Sequence, residues 1–172
     1  MTQRKVLALV VCAAPPVLRI GELIDLLLKD GWTVCVTATP TAARWVDRRE
    51  LTRQTGHPVR AEWRMPGDPE PHPPPDVVAV LPATFNVMNK WALGINDTPA
   101  LGILNEVLAA DITVYAYPNV KAELAAHPAY AAHLGTLTAA GVKVHPLRAD
   151  MTWEEIANEI ASPTATNVSA ER

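Results

Sequence analysis

Hydroxyl, amide and ammonium side chains cluster in one segment, residues 80–97, which reads VLPATFNVMNKWALGIND. The segment begins as a continuous apolar run typical of a buried strand, and it continues into a helical pattern that carries Asn86, Asn89 and Lys90. Thr84 stands at the junction, where a threonine either caps the helix or offers its hydroxyl to a ligand. Free N–H groups at a helix start, together with Thr84 and Asn86, suit a single phosphate. The residues alone leave the helix cap and the phosphate site open as alternatives.

These side chains would be placed by an alternation of buried strands and amphipathic helices. Apolar runs rich in valine, leucine and alanine predict strands at 5–11, 33–37, 76–81, 112–117 and, more briefly, 142–146. Helical patterns are found at 18–28, 41–55, 86–93 with 105–110, 121–124 and 129–140. Strands without polar alternation are typical of a sheet covered on both faces. The order predicts a doubly wound, Rossmann-like α/β fold, a three-layer sandwich with a mostly parallel sheet.

Length and composition indicate one globular domain. The chain of 172 residues has 49% hydrophobic and 19% charged residues, which is enough for one core but too short for two ordinary domains. We expect a domain over 1–160 and a disordered polar tail over 161–172. The N-terminal apolar run is short, so we interpret it as the first strand and not as a signal peptide. With no run of membrane-spanning length, and with Cys12 at the end of one predicted strand and Cys35 inside another, we expect a cytoplasmic protein.

The motifs disfavour several functional classes. The net charge is −3 and no segment gathers lysine and arginine, which argues against nucleic-acid binding. No grouping of His, Cys, Asp and Glu has metal-ligand spacing, so we expect no metal. The loop after the first strand, AAPP at 13–16, lacks both the dinucleotide-binding and the P-loop glycine patterns. In an open α/β sheet, a ligand site is then expected where polar side chains follow the carboxyl ends of the strands.

Residues 82–97, PATFNVMNKWALGIND, resemble the flavin-binding segment of the homo-oligomeric flavin-containing cysteine decarboxylase family. That segment has the form P-x-S-A-N-T-x-x-K-x-A-x-G-x-x-D. The matching positions are Pro82, Thr84 in place of serine, Asn86, Lys90, Ala92, Gly94 and Asp97. The similarity extends over most of the chain and implies a flavoprotein-type sandwich.

The resemblance implies FMN as the cofactor, with its phosphate and ribityl chain at the start of the helix after strand three. The residues implied to contact it follow three strands: Thr84, Phe85, Asn86 and Val87 after strand three, Thr39 after strand two, and Ala13, Ala14 and Pro15 after strand one, in place of a Gly-Ser-Ile turn. The family also implies a homotrimer or a larger homo-oligomer with the flavin near the subunit interface.

Members of this family decarboxylate the C-terminal cysteine of a peptide or pantothenoylcysteine, and three of their features are altered here. Pro118, Asn119 and Lys121 occupy the segment of the substrate motif P-x-M-N, with Lys121 at the position of its asparagine. His72 is the candidate catalytic histidine, although it lies among prolines and four residues before Asp76, closer to the strand than the family's histidine. No cysteine follows residue 150, where the family's reductase-competent members carry one in a C-terminal lid.

Two functions therefore stay open at the level of sequence. The first is an FMN-dependent enzyme, a decarboxylase or oxidoreductase that acts on a small or peptidyl carboxylate or thiol. The second is a non-catalytic FMN-binding or regulatory module. The altered position of His72 and the missing lid cysteine favour the second, whereas Thr84 and Asn86 favour a flavin role in both. We expect little or no cysteine decarboxylation of the family's standard kind.

Overall fold

The computed structural model of the protein describes residues 4–162. One sheet contains the strands β1 (Val6–Val11), β2 (Thr33–Ala38), β3 (Val77–Ala83), β4 (Thr113–Pro118) and β5 (Lys143–Val144). The α-helices of this range are α1 (Ile20–Lys29), α2 (Ala42–Trp45), α3 (Arg48–Thr55), α4 (Phe85–Ala92), α5 (Pro99–Val107), α6 (Ala122–Ala125), α7 (Pro128–Ala139) and α8 (Trp153–Ala161). A short 3-10 helix, Pro15–Arg19, precedes α1.

The strands of the sheet are parallel and lie in the order β2-β1-β3-β4-β5. β1 pairs with both β2 and β3, so the direction in which the chain adds strands reverses between β1 and β3. At such a reversal the loops after the two strands diverge and open a crevice at the carboxyl edge of the sheet. The prediction of a doubly wound, Rossmann-like α/β fold with a mostly parallel sheet is confirmed.

Alternate residues of each strand enter two cores, one on each face of the sheet. Leu9 of β1 belongs to the core that contains α1 and α8, whereas its neighbour Val10 belongs to the core that contains α4, α5 and α7. Both side chains are fully buried. Because helices cover both faces, no polar alternation is needed, and this explains why the strands read as continuous apolar runs.

The helix predicted over 41–55 is divided into α2 and α3. Val46 has an extended backbone, which ends α2, and Asp47 then acts as the N-cap of α3. The Oδ1 of Asp47 accepts the N–H groups of Arg49 and Glu50, each at 3.0 Å. An aspartate that satisfies two free N–H groups starts a new helix in place of extending the old one.

The helix predicted over 105–110 begins earlier in the structure, because α5 starts at Pro99. Thr98 is its N-cap, and the Thr98 Oγ1 accepts the N–H of Leu101 at 3.2 Å. Proline is favoured at the first helical position because the N–H that it lacks would have no partner there. The earlier start brings the N-terminus of α5 to the carboxyl edge of the sheet, where it becomes part of the site described below.

Helix α8 was not predicted, although its start carries a clear signal. Thr152 and Glu155 form a capping box: the Thr152 Oγ1 accepts the N–H of Glu155 at 3.1 Å, and the Glu155 Oε2 accepts the N–H of Thr152 at 2.8 Å. Ile156 and Ile160 are spaced four residues apart, and both are buried. This pattern of a capping box followed by an apolar stripe is typical of a helix start.

The disordered tail expected over 161–172 lies largely outside the described residues. Helix α8 continues to Ala161, one residue beyond the expected end of the domain at 160, and the described range ends at Ser162. Between residues 4 and 162, no helix is both long and apolar enough to cross a membrane.

Candidate functional site

The carboxyl ends of β1 to β4 are joined into one continuous edge by backbone hydrogen bonds. Each of three residues just past a strand donates its N–H to a carbonyl of the neighbouring strand: Thr39 to Val11 (3.0 Å), Cys12 to Pro82 (3.1 Å) and Asn119 to Ala83 (2.8 Å). These bonds extend the sheet beyond its strands. The loops that follow, which contain Ala13, Thr39 and Thr84, are therefore held side by side at the edge.

A cavity of about 410 Å³ opens at this edge, and we call it the threonine cavity. Its lining residues are Ala13, Thr39, Pro40, Thr41, Thr84, Asn86, Val87, Lys90, Asp97, Thr98 and Leu101. Five of the residues predicted to bind the cofactor are among them: Ala13, Thr39, Thr84, Asn86 and Val87. The volume lies in the range of small-molecule sites, roughly 300–1,000 Å³. The fold thus brings residues from the ends of β1, β2 and β3 to one concave surface.

Helices α2, α4 and α5 all begin at the wall of the threonine cavity, because their N-cap residues Thr41, Thr84 and Thr98 line it. In α4, the Oγ1 of Thr84 accepts the N–H of Val87 at 3.4 Å. The two N–H groups before Val87 have no partner inside the helix. Helix N-termini carry a partial positive charge and attract anions. Hydroxyls, an amide and helix N–H groups form a donor set that fits a phosphate ester.

Two threonine hydroxyls of the cavity have polar partners inside the protein. The Thr39 Oγ1 accepts the N–H of Ala42 at 3.3 Å, and a hydroxyl that accepts in this way keeps its own hydrogen for a ligand. Cys12 lies behind Thr84 and hydrogen-bonds with it. Burial raises the pKa of the Cys12 thiol to about 12, and the hydrogen bonds with Thr84 offset only part of this effect. Cys12 is therefore a neutral thiol that supports Thr84, and it does not have the character of a nucleophile.

A second cavity of about 770 Å³ shares the loop after β1, and we call it the α8 cavity. Its lining residues are Pro15, Pro16, Arg19, Glu22, Asn119, Leu147, Arg148, Ala149, Met151, Thr152, Trp153, Glu154 and Ile156. Among the residues predicted to contact substrate, Asn119 lines this cavity. Pro118 is buried at the end of β4, and Lys121 is exposed at the N-cap of α6. Of the three residues predicted to contact substrate, Asn119 is thus the one that lines the α8 cavity.

Three residues predicted to bind the cofactor lie outside the threonine cavity. Pro15 lines the α8 cavity, and Ala14 is buried within the loop after β1. The ring of Phe85 packs near His127 and Tyr130, with centroid distances of 5.9 and 5.5 Å. These ring contacts fasten the start of α4 to the start of α7. Phe85 can therefore offer its backbone N–H to a ligand while its side chain packs elsewhere.

His72, the candidate catalytic histidine, lies beside the outer edge of the sheet. Its Nε2 hydrogen-bonds with Pro58 O at 2.7 Å, two residues before Arg60, which pairs with Thr37 of the edge strand β2. His72 is not among the lining residues of either cavity. Burial lowers the pKa of His72 below its ordinary value of 6.5, and the bond with Pro58 O opposes this only in part. At neutral pH, His72 is therefore an uncharged imidazole bonded to a backbone carbonyl.

The lowered pKa of His72 predicts that stability depends on pH. Because the folded state binds this proton more weakly than the unfolded chain, the contribution of His72 to the free energy of unfolding is fully present above pH 6.5. It is lost as the pH falls from 6.5 through the lowered pKa of the folded state. In urea unfolding above and below pH 6.5, we expect His72→Gln to lose less stability on acidification than the parent. An identical loss in both proteins would contradict this prediction.

The cavity residues from α5, Thr98 and Leu101, were not among the residues predicted from sequence, and they close the threonine cavity on that side. Their signal was a threonine followed by Pro99, the pattern of an N-cap and a first helical residue. Lys90 and Asp97, noted as motif positions, form an ion pair within the chain, with the Lys90 Nζ at 2.5 Å from the Asp97 Oδ2. Among residues 4–162, no three His, Cys, Asp or Glu side chains are grouped to hold a metal ion.

Comparison with solved structures identifies similar folds that cover 92% of this chain. The FMN-dependent cysteine decarboxylase TvaF from thioviridamide biosynthesis is 24% identical, with a TM-score of 0.77 over 99% of its own chain. MrsD from Bacillus sp. HIL-Y85/54728 is 20% identical, with a TM-score of 0.76 over 95% of its chain. The FMN binding protein AtHal3 is 17% identical, with a TM-score of 0.73 over 96% of its chain.

The family comparison agrees with these folds. A search of curated protein sequences gives no match. Residues 1–166 match the family model described as Flavoprotein, which includes both the loop after β1 and the segment around Thr84. The resemblance first noted in residues 82–97 is thereby confirmed at the level of family and fold. Because the match spans nearly all of its length, the chain belongs to the flavoprotein family.

Proposed function

We propose that the protein binds FMN, with the phosphate end of the cofactor in the threonine cavity. The observation that carries this proposal is the meeting of the N-termini of α4 and α5 with four threonine hydroxyls in one cavity. A phosphate ester there would accept hydrogen bonds from Thr84, Asn86 and the first N–H groups of α4, with Thr39 on the facing wall. Membership of the flavoprotein family supports a flavin over other phosphate esters.

The absorbance spectrum of the purified full chain tests this proposal. We expect the visible bands of an oxidised flavin, either directly after purification or after FMN is added and unbound ligand is removed by desalting. Denaturation followed by chromatography should release FMN and no other flavin. A folded protein that stays colourless through both procedures would contradict the assignment.

We propose further that the substrate is a small or peptidyl carboxylate or thiol, held in the α8 cavity. When bound, a flavin supplies two-electron oxidation or reduction of a substrate. The backbone of Asn119 is fixed by its bond to Ala83 O, so its amide can meet a carboxylate from a defined position on the cavity wall. Arg148 lines the same cavity and offers a cation to the same group. Pro118 and Lys121 stay predictions as substrate contacts.

A second function, FMN binding without turnover, is favoured by the position of His72. In the part of the chain that the structure describes, no histidine lines the threonine cavity or the α8 cavity. His72 is instead hydrogen-bonded to Pro58 O at the sheet edge. General acid–base catalysis needs a proton carrier within hydrogen-bonding reach of the substrate. Both descriptions, cysteine decarboxylase for TvaF and FMN binding protein for AtHal3, occur among structures of this fold.

The two functions are separated by a decarboxylation assay. FMN-loaded protein is incubated with cysteine-ended peptides and with pantothenoylcysteine, and the products are analysed by mass spectrometry. Because no histidine lines either cavity in the described range, we expect little or no loss of CO₂. Rapid turnover that collapses in His72→Asn would contradict this and assign the proton transfer to His72. Turnover that is insensitive to His72 but lost in Asn119→Ala would support an enzyme with a different proton carrier.

We propose a homotrimer or larger homo-oligomer with the threonine cavity near the subunit interface. Exposed large apolar side chains support this: Trp63 is 53% exposed and lies against Gly102, which follows the cavity residue Leu101 on α5, and Met65 is 71% exposed. Surfaces of this kind are typical of protein contacts. Light scattering at micromolar concentration is expected to give at least three times the monomer mass of 18.6 kDa. A monomer would refute the assembly without affecting flavin binding by the single chain.

We also propose a cytoplasmic location. Cys12 and Cys35 are both free and buried, as is usual for cysteines in a reducing compartment. Fractionation of the native host should place the protein with cytoplasmic markers, and recovery with membrane or secreted fractions would contradict the proposal.

A further inference from the structure

Among the eleven residues that line the threonine cavity, two carry a formal charge, Lys90 and Asp97. Their side chains form an ion pair with 2.5 Å between the Nζ and the Oδ2. The formal charges of the cavity wall therefore cancel, although the wall holds the N-termini of α4 and α5. A ligand that brings its own charge would meet both members of this pair, one of which attracts it while the other repels it.

Each of the two charges lies next to a part of the cavity wall that can bind an anion. Lys90 lies one turn after Asn86 on α4, so both side chains project from the same face of the helix toward the cavity. Asp97 directly precedes Thr98, the N-cap of α5, and a carboxylate at a helix N-terminus occupies the partial positive charge that another anion would use. Asp97 thus competes with a bound anion twice, for the end of α5 and for the ammonium of Lys90.

We propose that Lys90 and Asp97 set, in opposite directions, the preference of the cavity for a phosphorylated over an unphosphorylated flavin. This inference rests on the proposed binding of FMN. A phosphate monoester carries a charge of about −1.5 to −2 at neutral pH. The Lys90 ammonium attracts that charge, and the Asp97 carboxylate, which is close to the same point, repels it. A flavin without the phosphate brings no charge to this wall, so its affinity depends little on either residue.

The ion pair can be changed without loss of the fold. The two side chains are 30% and 49% exposed, and a pair of this exposure contributes little to stability. A substitution that keeps size and removes charge, Lys90→Gln or Asp97→Asn, therefore tests charge alone. Lys90→Arg keeps the charge and serves as the conservative variant.

The experiment measures the dissociation constants of FMN and riboflavin for the full chain, by quenching of flavin fluorescence at low ionic strength. The readout is the ratio of the two dissociation constants. A substitution that damages the cavity in general weakens the binding of both flavins equally and leaves this ratio unchanged. In Lys90→Gln we expect the preference for FMN to fall about tenfold, the size of a lost charge-assisted hydrogen bond. In Asp97→Asn we expect it to rise by about threefold to tenfold. In Lys90→Arg it should stay close to that of the parent.

Lys29→Gln is the matched control, since it changes the net charge equally at the end of α1, on the opposite edge of the sheet. It should leave the ratio unchanged. Opposite shifts in Lys90→Gln and Asp97→Asn, both reduced at high salt, support the inference. An unchanged ratio, or equal weakening of both flavins, overturns it while FMN binding by the parent stands. A parent that binds neither flavin overturns the proposed function, and this inference with it.

Discussion

Replacement of Thr84 and Asn86 together by alanine is expected to weaken FMN binding by about a hundredfold or more, because each removes a hydrogen bond to a charged group. Thr84 caps α4 at the wall of the threonine cavity, and Asn86 lies one turn before Lys90 on the same wall. The double variant should purify without visible flavin absorbance and should regain little colour when FMN is added. Fluorescence titration gives the size of the loss.

The fold of this variant should persist, since loss of one N-cap costs only about 1 kcal/mol. Far-UV circular dichroism and urea unfolding check this point. The matched control removes one threonine and one asparagine elsewhere: Thr136→Ala with Asn105→Ala, whose side chains bond to Ala132 O and Ile95 O and line neither cavity. Thr84→Ser, which keeps the capping hydroxyl, should retain the flavin. A folded double variant as yellow as the parent would refute the assignment of the site.

The largest expected loss of stability comes from Trp91→Ala, with a decrease of about 3–5 kcal/mol in the free energy of unfolding. Trp91 is 1% exposed, and its Nε1 donates to Leu104 O at 2.8 Å. The substitution leaves a large cavity between α4 and α5 and removes the partner of a buried carbonyl. Because these two helices provide one wall of the threonine cavity, FMN affinity should fall as well. Urea unfolding and flavin titration measure the two effects.

Trp45→Ala is the matched control, because Trp45 is 46% exposed and the same change there should cost less than about 1 kcal/mol. Trp91→Phe fills most of the space but cannot donate to Leu104 O, so its cost should lie between those of Trp45→Ala and Trp91→Ala. Equal costs for the two alanine variants would mean that α4 and α5 are held together mainly by other contacts.

Much of the fold could be predicted from local sequence because both faces of the sheet are covered. Strands such as β1 and β3 are buried at nearly every position, so each appears in the sequence as a continuous apolar run. Such a run is easily distinguished from the polar segments at the protein surface. Element ends were less predictable. Valine is not a residue type that marks a helix end, so Val46 does not reveal the break between α2 and α3. The break is defined in the structure by the capping bonds of Asp47. The start of helix α8, by contrast, carries a local sequence signal in the capping box of Thr152 and Glu155.

Some residues of the threonine cavity could be predicted from sequence, and others could not. Thr84, Asn86 and Lys90 belong to one continuous segment, so the spacing of a strand end and a helix start already placed them together. Thr39 could be predicted as a site residue because it follows a strand that is recognisable in the sequence. Thr98 also has the sequence pattern of an N-cap, but this pattern predicts only where the helix begins. It does not predict which part of the protein the start of the helix faces. That α5 begins at the same cavity as α4 depends on the buried contact between Trp91 and Leu104.

The positions of the predicted substrate contacts were the hardest to infer from sequence, because they depend on the ends of separate elements. Asn119 and Lys121 are two residues apart, yet Asn119 lines the α8 cavity while Lys121 is exposed at the start of α6. The other wall of that cavity is α8, which is anchored to β4 by a hydrogen bond of 2.8 Å from the Tyr117 hydroxyl to Glu159. Sequence alone predicted the fold class, since local periodicity encodes it, and it brought Thr84 and Asn86 together in one segment, where the residues by themselves left a helix cap and a phosphate site open. Tertiary structure decided which side chains share a cavity, since contacts between residues distant in the chain leave no periodic trace.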